Sequence, residues 1–274
     1  MTEVKLSVCI PVFNGGDFIK IAIQSVLDQN FSDYEILIVD NNSTDNTVKI
    51  INEFNDPRIK LIQNDTNIGL IPNWNKAVEN AKGKYIKILP ADDFIYQNCL
   101  FAQCEILDKD IDEKISLVCS RRNIINDLGK VLFNRGFSKK EIQISRFEAI
   151  NRNIRSGGNI IGEGGAVIFR KEIIKKTGPF NSEIFYVLDL DLWYKILLHG
   201  DLYCLPDIHS AFRVSNSSAS VQVVKKQRED VSNFIKKIYK NKEYKVSWLS
   251  CKIGLLKAFV LTEAKKMLYK YLIK

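Results

Sequence analysis

Two adjacent carboxylates, Asp92 and Asp93, are the pair in this sequence best suited to hold a metal ion. They follow directly on the apolar run 84–89, which predicts a buried strand. Carboxylates in such a position can coordinate Mg²⁺ or Mn²⁺, and sites of this kind usually bind substrate phosphates as well. The structural alternative is that either side chain caps a helix beginning near Phe94. The pair alone favours the cap, whereas its place after a buried strand favours the metal.

A further acidic residue, Asp40, closes the apolar run 34–40 and is followed by Asn41 and Asn42. A carboxylate here could accept a hydrogen bond from a nucleotide base or from a ribose hydroxyl. The alternative is an ordinary turn, because Asn, Asp and Ser are all common turn residues.

Asp189 and Asp191 lie at the start of a predicted helix, 190–198. If the chain is extended there, both side chains share one face. If it is already helical, they point about 200° apart and only one of them can face a cleft. A carboxylate near an acceptor could take the proton from an attacking hydroxyl. Both could instead be first-turn acids that the helix dipole favours.

The elements that must position these residues alternate between strand and helix. The predicted strands are 6–11, 34–40, 59–63 and 84–89, and the predicted helices are 18–28, 46–55 and 71–82. This alternation predicts an α/β fold whose sheet is parallel, with right-handed crossovers. Ligands bind at the carboxyl ends of such strands. Asn14, Asp40 and the Asp92–Asp93 pair each follow a strand end, which predicts a site at this edge.

The second half of the chain is less regular. Strands are predicted at 115–121 and 166–170, a short helix at 171–177, and helical structure from 221 onwards. The glycines within 157–165 match neither the dinucleotide-binding nor the P-loop spacing. They predict a flexible connection or a close backbone approach to a ligand, and we expect this loop to contribute to substrate specificity.

Charge and cysteine content narrow the class of protein. The net charge is +8, with many lysines in 221–274, which form either a solvated helix face or a surface for anionic partners. Within the segment 221–274, residues 246–261 are largely apolar but include Lys252 and Lys257. These two lysines favour a helix that lies on a membrane surface over one that spans the membrane. The alternative is a helix packed on the catalytic domain. Six scattered cysteines predict free, buried thiols, and with no signal-peptide pattern at the N-terminus they favour a cytoplasmic protein.

Taken together, these segments resemble the family 2 glycosyltransferases of the GT-A fold. The matching motifs are residues 7–14 (SVCIPVFN), 38–45 (IVDNNSTD), 67–75 (NIGLIPNWN), 83–93 (GKYIKILPADD), 166–170 (AVIFR), 178–180 (GPF) and 189–193 (DLDLW). Each motif is weak alone, but their order and spacing match the family from about residue 5 to residue 220. The resemblance implies a Rossmann-like, mostly parallel sheet flanked by helices, with a C-terminal helical extension.

The resemblance also implies roles for individual residues. The residues expected to bind the nucleotide-sugar are Pro11, Phe13, Asn14, Asp40, Asn42, Asn67, Gly69, Asn73, Asp92 and Arg213. Among them, Asp40 would hydrogen-bond the base, expected to be uracil, and Asp92 would lie near the ribose and the sugar. Asp93, together with Asp92, would bind Mn²⁺ or Mg²⁺ and the diphosphate. Asp189 matches the catalytic base, and Asp191 is the second choice.

Three positions depart from the family pattern. Asn41 stands where the family often has a second Asp, so contacts with the donor base could differ. Leu188 replaces a common Glu before the catalytic Asp, which weakens the assignment of the base. Ser215 replaces a common His two residues after Arg213. Arg213 and the loop 215–220 could still close over the donor.

The hypothesis that follows is an inverting glycosyltransferase that acts by direct displacement. It would move a sugar from a nucleotide-diphosphate donor, expected to be a UDP-sugar, to a hydroxyl of a saccharide or lipid-linked saccharide in surface polysaccharide or glycolipid synthesis. Residues 1–220 would form the catalytic domain, with a nucleotide-binding half at 1–120 and an acceptor-binding half at 121–220. Residues 221–274 would form a basic amphipathic extension, which could bind an anionic membrane surface at the inner face of the cell membrane.

Two other functions remain open on the sequence. One is a catalytically inactive regulator that binds a nucleotide-sugar. The other is a nucleic-acid-binding protein, suggested by the positive charge but disfavoured because no recognisable binding module is present. We therefore expect no nucleic-acid partner.

Overall fold

The apolar runs at the start of the chain form the parallel half of a β-sheet. The computed structural model describes residues 4–181, 185–214 and 227–272. In it these strands are β1 (Leu6–Val12), β2 (Tyr34–Asp40), β3 (Ile59–Gln63) and β4 (Tyr85–Ile88). They lie parallel, as predicted, and their order in the sheet is β3–β2–β1–β4. Every residue of β1 and β2 is buried, as expected of parallel strands with helices on both faces.

Three helices connect these strands. They are α1 (Ile19–Leu27), α2 (Thr47–Ile51) and α3 (Leu70–Asn80). The side chains of β1 alternate between the two faces of the sheet, with Val8 in the apolar cluster that contains α1 and Cys9 in the one that contains α3. α2 is shorter than predicted, because residues 52–53 form a turn.

The second half of the chain extends the same sheet. Its elements are β5 (Phe94–Ile95), α4 (Cys99–Lys109), β6 (Ile115–Ile125), β7 (Val131–Arg135), β8 (Ile142–Ile144), α5 (Arg146–Arg155), β9 (Val167–Arg170), α6 (Ile174–Thr177), α7 (Leu188–Leu197) and β10 (Asp201–Arg213). β9 lies antiparallel between β4 and β6, and β10 lies between β6 and β5. The expected division near residue 120 therefore falls inside β6, and the two halves share one sheet.

The alternative that Asp92 or Asp93 caps a helix beginning near Phe94 is excluded. Residues 94–95 form β5, which pairs with Ser210 and Ala211 of β10, and the following helix, α4, begins only at Cys99. Pairing with a strand more than a hundred residues away decided this conformation. β10 was also not predicted, because its apolar pattern is interrupted by Pro206 and by shifts of register against β6.

Two C-terminal helices, α8 (Gln227–Lys240) and α9 (Trp248–Leu272), pack on this core. Phe234 of α8 lies in the same apolar cluster as Tyr194 of α7, with their ring centroids 5.5 Å apart. The described part of this segment therefore packs on the catalytic domain, which was the alternative to a membrane-bound helix. On the outer side α9 leaves large apolar side chains exposed, namely Trp248, Leu249, Leu256, Phe259 and Val260. Among the described helices, none is both long and apolar enough to cross a bilayer.

The six cysteines are all free and buried, as predicted.

Candidate active site

A cavity of about 630 Å³ opens at the carboxyl ends of the parallel strands. Its walls come from the loops that follow β1, β2 and β4, from the loop before β9, and from α7, α8 and α9. The predicted site residues that line it are Pro11, Phe13, Asn14, Asn67, Asn73, Asp92, Asp189 and Arg213. Those that do not line it are Asp40, Asn42, Gly69, Asp93 and Asp191. The edge of the sheet predicted from the strand ends is thus the one that carries the cavity.

The loops that follow β1 and β2 are joined by Asn14, whose backbone adopts the left-handed conformation with φ 50°. Its side-chain Oδ1 accepts a hydrogen bond from the Thr44 N–H at 2.9 Å, and its own N–H donates to Ser43 Oγ at 2.9 Å. The preceding residue, Phe13, lines the cavity with 48% of its surface exposed. An aromatic ring held in this way offers a face on which a base can stack.

Asp40 is buried and holds the turn after β2 together. One of its oxygens accepts from the Ser43 N–H at 3.1 Å and the other from Ser43 Oγ. These hydrogen bonds are the ones expected if Asp40 belongs to an ordinary turn. The contact between Asp40 and a donor base remains a prediction.

Asn41 is buried at the centre of a network of amide side chains. Its Nδ2 donates to Asn67 Oδ1 at 2.8 Å and to the Gly69 carbonyl at 3.2 Å. Its Oδ1 accepts from Asn64 Nδ2 at 3.0 Å and from the Ile68 N–H at 2.9 Å. The network fixes the loop that contributes Asn67 to the cavity. It also shows why Asn fits here, because a carboxylate would have no hydrogen to donate.

Replacing Asn41 by Asp is expected to destabilise the fold by about 3 kcal/mol at neutral pH, because a buried carboxylate would face the Gly69 carbonyl. Protonation of the carboxylate would restore a donor, so the loss should shrink as the pH falls. Urea unfolding at several pH values measures both effects. Asn42→Asp, at the exposed neighbouring position, is the matched control and should change stability by less than about 0.5 kcal/mol. Equal losses in the two variants would contradict the network.

Asp92 lines the cavity, whereas Asp93 is buried and does not line it. Arg213 holds both residues. Its backbone N–H donates to Asp93 Oδ1 at 2.8 Å, and its side-chain Nε donates to the backbone carbonyl of Asp92 at 2.9 Å. Its guanidinium also donates to the carbonyls of Asn126 and Asp127 and lies over the Phe18 ring. Arg213 is thus a structural brace for the acidic pair.

The acidic pair fits a divalent cation. Burial raises the pKa of both carboxyls, and the charge of Asp92 raises the pKa of Asp93 further. A cation at Asp92 would offset both effects. No hydrogen bond from another described residue reaches the Asp92 carboxylate, so its oxygens are available to a ligand. Within the described ranges no group of three or more acidic, histidine or cysteine side chains is placed to hold a metal by itself.

The two acids of α7 separate as a helix requires. α7 begins at Leu188, so Asp189 and Asp191 both lie in its first turn and point in different directions. Asp191 is buried away from the cavity and forms an ion pair with Lys195 at 2.5 Å. Lys237 of α8 lies 3.9 Å from its other oxygen. The structure therefore removes Asp191, the second choice, from the candidates for a catalytic base.

Asp189 faces the cavity, and its Oδ1 has no hydrogen-bond partner among the described residues. Burial, and next the charge of Glu163, raise the pKa of Asp189 to about 7, while Arg122 acts in the opposite direction. A carboxyl with a pKa near neutrality is well matched to act as a general base.

Glu163 and Arg122 were missed by the sequence analysis. Arg122 is buried, and its Nη2 donates to Glu163 Oε1 at 3.0 Å and to the Asn159 carbonyl at 3.0 Å. Arg122 follows Arg121 in β6, a strand most of whose residues are buried. Two arginines in a buried strand were the signal that could have indicated a charged site. The loop 157–165, expected to contribute to specificity, does line the cavity through several of its residues.

The C-terminal helices also line the cavity, which the sequence had not predicted. The contributions of α8 are Val231, Phe234 and Ile235, and those of α9 are Ala258, Leu261 and Thr262. These side chains form a largely apolar part of the cavity wall. The segment 221–274 is therefore more than an appendage, because its described part shapes the site.

The family model described as "Glycosyl transferase family 2" matches residues 7–178, well over half of the chain. The chain belongs to glycosyl transferase family 2. This family 2 glycosyltransferase is 28% identical over 240 residues to the Escherichia coli protein named UDP-Glc:alpha-D-GlcNAc-diphosphoundecaprenol beta-1,3-glucosyltransferase WfgD. That alignment covers 86% of this chain and 88% of WfgD. The chain is also 27% identical over 242 residues to an uncharacterised glycosyltransferase of Rickettsia typhi, in an alignment that covers 86% of this chain and 73% of the relative.

Two solved structures share the fold of this family 2 glycosyltransferase. S. aureus TarS 1–349 in complex with UDP-GlcNAc matches with a TM-score of 0.71 at 19% identity, over 93% of this chain and 71% of that one. The mannosyltransferase PcManGT from Pyrobaculum calidifontis, in complex with GDP-Man and Mn²⁺, matches with a TM-score of 0.65 at 15% identity, over 98% and 76%. At these identities the likeness concerns the fold, and the predicted GT-A fold is confirmed.

Proposed function

We propose that this glycosyltransferase moves a sugar, with inversion, from a UDP-sugar to a hydroxyl of a lipid-linked saccharide in surface polysaccharide or glycolipid synthesis. One observation carries the proposal: Asp189, with a pKa of about 7, lines the same cavity as Asn14 and Asp92. A proton acceptor and an acidic, loop-lined donor site thus share one space. The donor would bind to residues of 1–120, and the acceptor to residues of 121–220 together with the C-terminal helices.

Asp189 would act on the acceptor. Its carboxylate takes the proton of the attacking hydroxyl while the hydroxyl oxygen forms the new bond to the anomeric carbon. The bond from that carbon to the donor phosphate oxygen breaks, and its electron pair leaves with the nucleoside diphosphate. Because the attack comes from the side opposite the leaving group, the configuration at the anomeric carbon is inverted.

Asp92 and Asp93 would serve the leaving group. They would hold Mn²⁺ or Mg²⁺, which supplies positive charge next to the departing diphosphate. Arg213 keeps the pair in place through the two hydrogen bonds described above. Phe13 and Asn14 would contact the base and ribose, with Asp40 a further candidate for the base. The loop 215–220, expected to close over the donor, lies outside the described residues.

The relatives support this assignment by what their names state. WfgD is named for a UDP-Glc donor and for an acceptor in which GlcNAc is linked to diphosphoundecaprenol. TarS has been solved with UDP-GlcNAc, whereas PcManGT has been solved with GDP-Man and Mn²⁺. A thermal-shift screen of UDP-, GDP- and dTDP-sugars with Mn²⁺ tests the donor, because the sugar nucleotide that binds raises the melting temperature. Stabilisation by GDP- or dTDP-sugars alone would overturn the UDP assignment.

We further propose peripheral binding to the inner face of the cell membrane through the outer face of α9. Leu256 is 67% exposed and Val260 56% exposed on this face, close to Lys252 and Lys257. Exposed apolar side chains flanked by lysines are suited to insert among anionic lipid headgroups.

The double substitution Leu256→Ser and Val260→Ser is expected to weaken binding to anionic vesicles at least about tenfold, because two apolar side chains no longer leave water. Flotation with phosphatidylglycerol vesicles measures the bound fraction, and neutral vesicles show the contribution of charge. Ile111→Ser, at a position 89% exposed, is the matched control and should float like the unaltered protein. If the unaltered protein does not float, or the double variant floats equally well, this surface does not bind membranes.

A further inference from the structure

Arg135, the last residue of β7, lines the cavity together with Arg122 and Arg213. It stands directly opposite Arg122 in the antiparallel pairing of β6 and β7. Like charges at directly opposed positions destabilise a sheet. Arg122 is compensated by its ion pair with Glu163. Arg135 has no ion pair or hydrogen bond with any described residue, although it is half-buried.

The position of Arg135 gives it a ligand-binding geometry. A Cβ added to Gly158 would lie 2.8 Å from Arg135 Nη2, so the guanidinium rests against bare backbone. A Cβ added to the adjacent Gly157 would lie 2.6 Å from the Ala258 backbone nitrogen of α9. Two consecutive glycines thus bring Arg135 and the apolar wall of α9 to the same place. A charged group and an apolar surface side by side are complementary to an amphiphile.

Arg135 lines the same cavity as the expected base, Asp189. The charges of Arg122 and Glu163 act on both Arg135 and Asp189, which places the four side chains in one electrostatic environment. In this environment an anion bound to Arg135 would relieve the repulsion between the two arginines. The forked donors of a guanidinium match the oxygens of a phosphate particularly well.

We propose that Arg135 binds a phosphate of an amphiphilic acceptor whose hydrocarbon chain lies along the wall formed by α8 and α9. The proposal rests on the proposed function for its choice of acceptor and adds the residue that selects it. Neutral saccharides would lack this contact and would be poorer acceptors.

Binding of farnesyl phosphate, measured by calorimetry with UDP and Mn²⁺ present to fill the donor site, tests the proposal. Arg135→Ala should weaken this binding about 10- to 100-fold, because it removes hydrogen bonds to a charged group. Arg135→Lys should restore part of the affinity. Farnesol should bind equally to all variants, and inorganic phosphate should bind more weakly than farnesyl phosphate.

Arg121→Ala is the matched control, since it removes the same charge from the adjacent strand and its side chain does not line the cavity. It should bind farnesyl phosphate like the unaltered protein, and melting temperatures confirm that each variant is folded. Unchanged affinity of Arg135→Ala for farnesyl phosphate would overturn the proposal. If inorganic phosphate binds the unaltered protein as tightly as farnesyl phosphate does, the proposed contact of the hydrocarbon chain with α8 and α9 is overturned. A separate UDP titration distinguishes the two ideas: if UDP fails to bind, the donor assignment falls, whereas Arg135-dependent binding of farnesyl phosphate stands by itself.

Discussion

Asp189→Asn is expected to lower kcat for sugar transfer about 10²- to 10⁴-fold, the usual contribution of a general base. The substitution keeps the shape of the side chain and removes its ability to accept the proton. Transfer assays with saturating donor and acceptor measure the loss, and a UDP titration should show unchanged donor binding. Transfer at the unaltered rate would exclude Asp189 as the base.

The pH dependence follows from the same residue. The base acts as the carboxylate, so kcat/KM should rise with pH, with a midpoint near the Asp189 pKa of about 7. Below that midpoint it should fall about tenfold per pH unit. Asp191→Asn should keep this profile, because Asp191 is paired with Lys195 outside the cavity.

The thermal stability of Asp189→Asn distinguishes loss of the catalytic base from misfolding as the cause of low activity. Burial keeps the Asp189 pKa in the folded state above its ordinary value of 3.8. The folded state therefore holds this proton more tightly, and stability is lost as the pH rises from 3.8 to about 7. Asp189→Asn cannot ionise and should melt at a higher temperature than the unaltered protein above pH 7. Low activity combined with raised stability would identify a catalytic role.

Substitutions at the acidic pair are expected to have an effect of similar size. Asp92→Asn and Asp93→Asn should each lower transfer at least about 100-fold, because each would remove charge from the site proposed to stabilise the leaving diphosphate. Asp93→Asn retains an oxygen that can accept the hydrogen bond from the Arg213 backbone N–H. A loss of activity in this variant therefore reflects the missing charge more than a change in the position of the loop. Transfer assays over a Mn²⁺ titration, with EDTA as the metal-free reference, measure both variants.

The acidic pair also decides between an enzyme and an inactive regulator. In the enzyme, transfer collapses in both variants while UDP still binds. In a regulator, neither substitution would change the slow background transfer, and EDTA would have no effect. The second result would overturn the metal-dependent mechanism.

The sequence predicted the parallel half of the fold well, because local apolar pattern decides it. The runs at 6–11 and 34–40 are buried on both faces, and such strands are readable from composition alone. The resemblance to the family placed Asn14, Asp92 and Asp189 in one site, and the structure brings them to one cavity.

The rest depends on contacts between distant parts of the chain. β5 exists because it pairs with β10, and no local pattern in residues 94–95 indicates this. Arg135 reaches the cavity through its pairing opposite Arg122. The apolar wall depends on how α8 and α9 dock against α7, which periodicity in 221–274 could not specify. Side-chain direction at Asp93 and Asp191 likewise follows from packing.

The brace formed by Arg213 has a consequence for the order of events in synthesis. The residue that holds Asp92 and Asp93 in place lies 120 positions further along the chain than Asp93. As the chain emerges from the ribosome, the four parallel strands and the acidic loop are made long before Arg213 appears. The two hydrogen bonds from Arg213 to the acidic loop can therefore form only after most of the polypeptide has been translated.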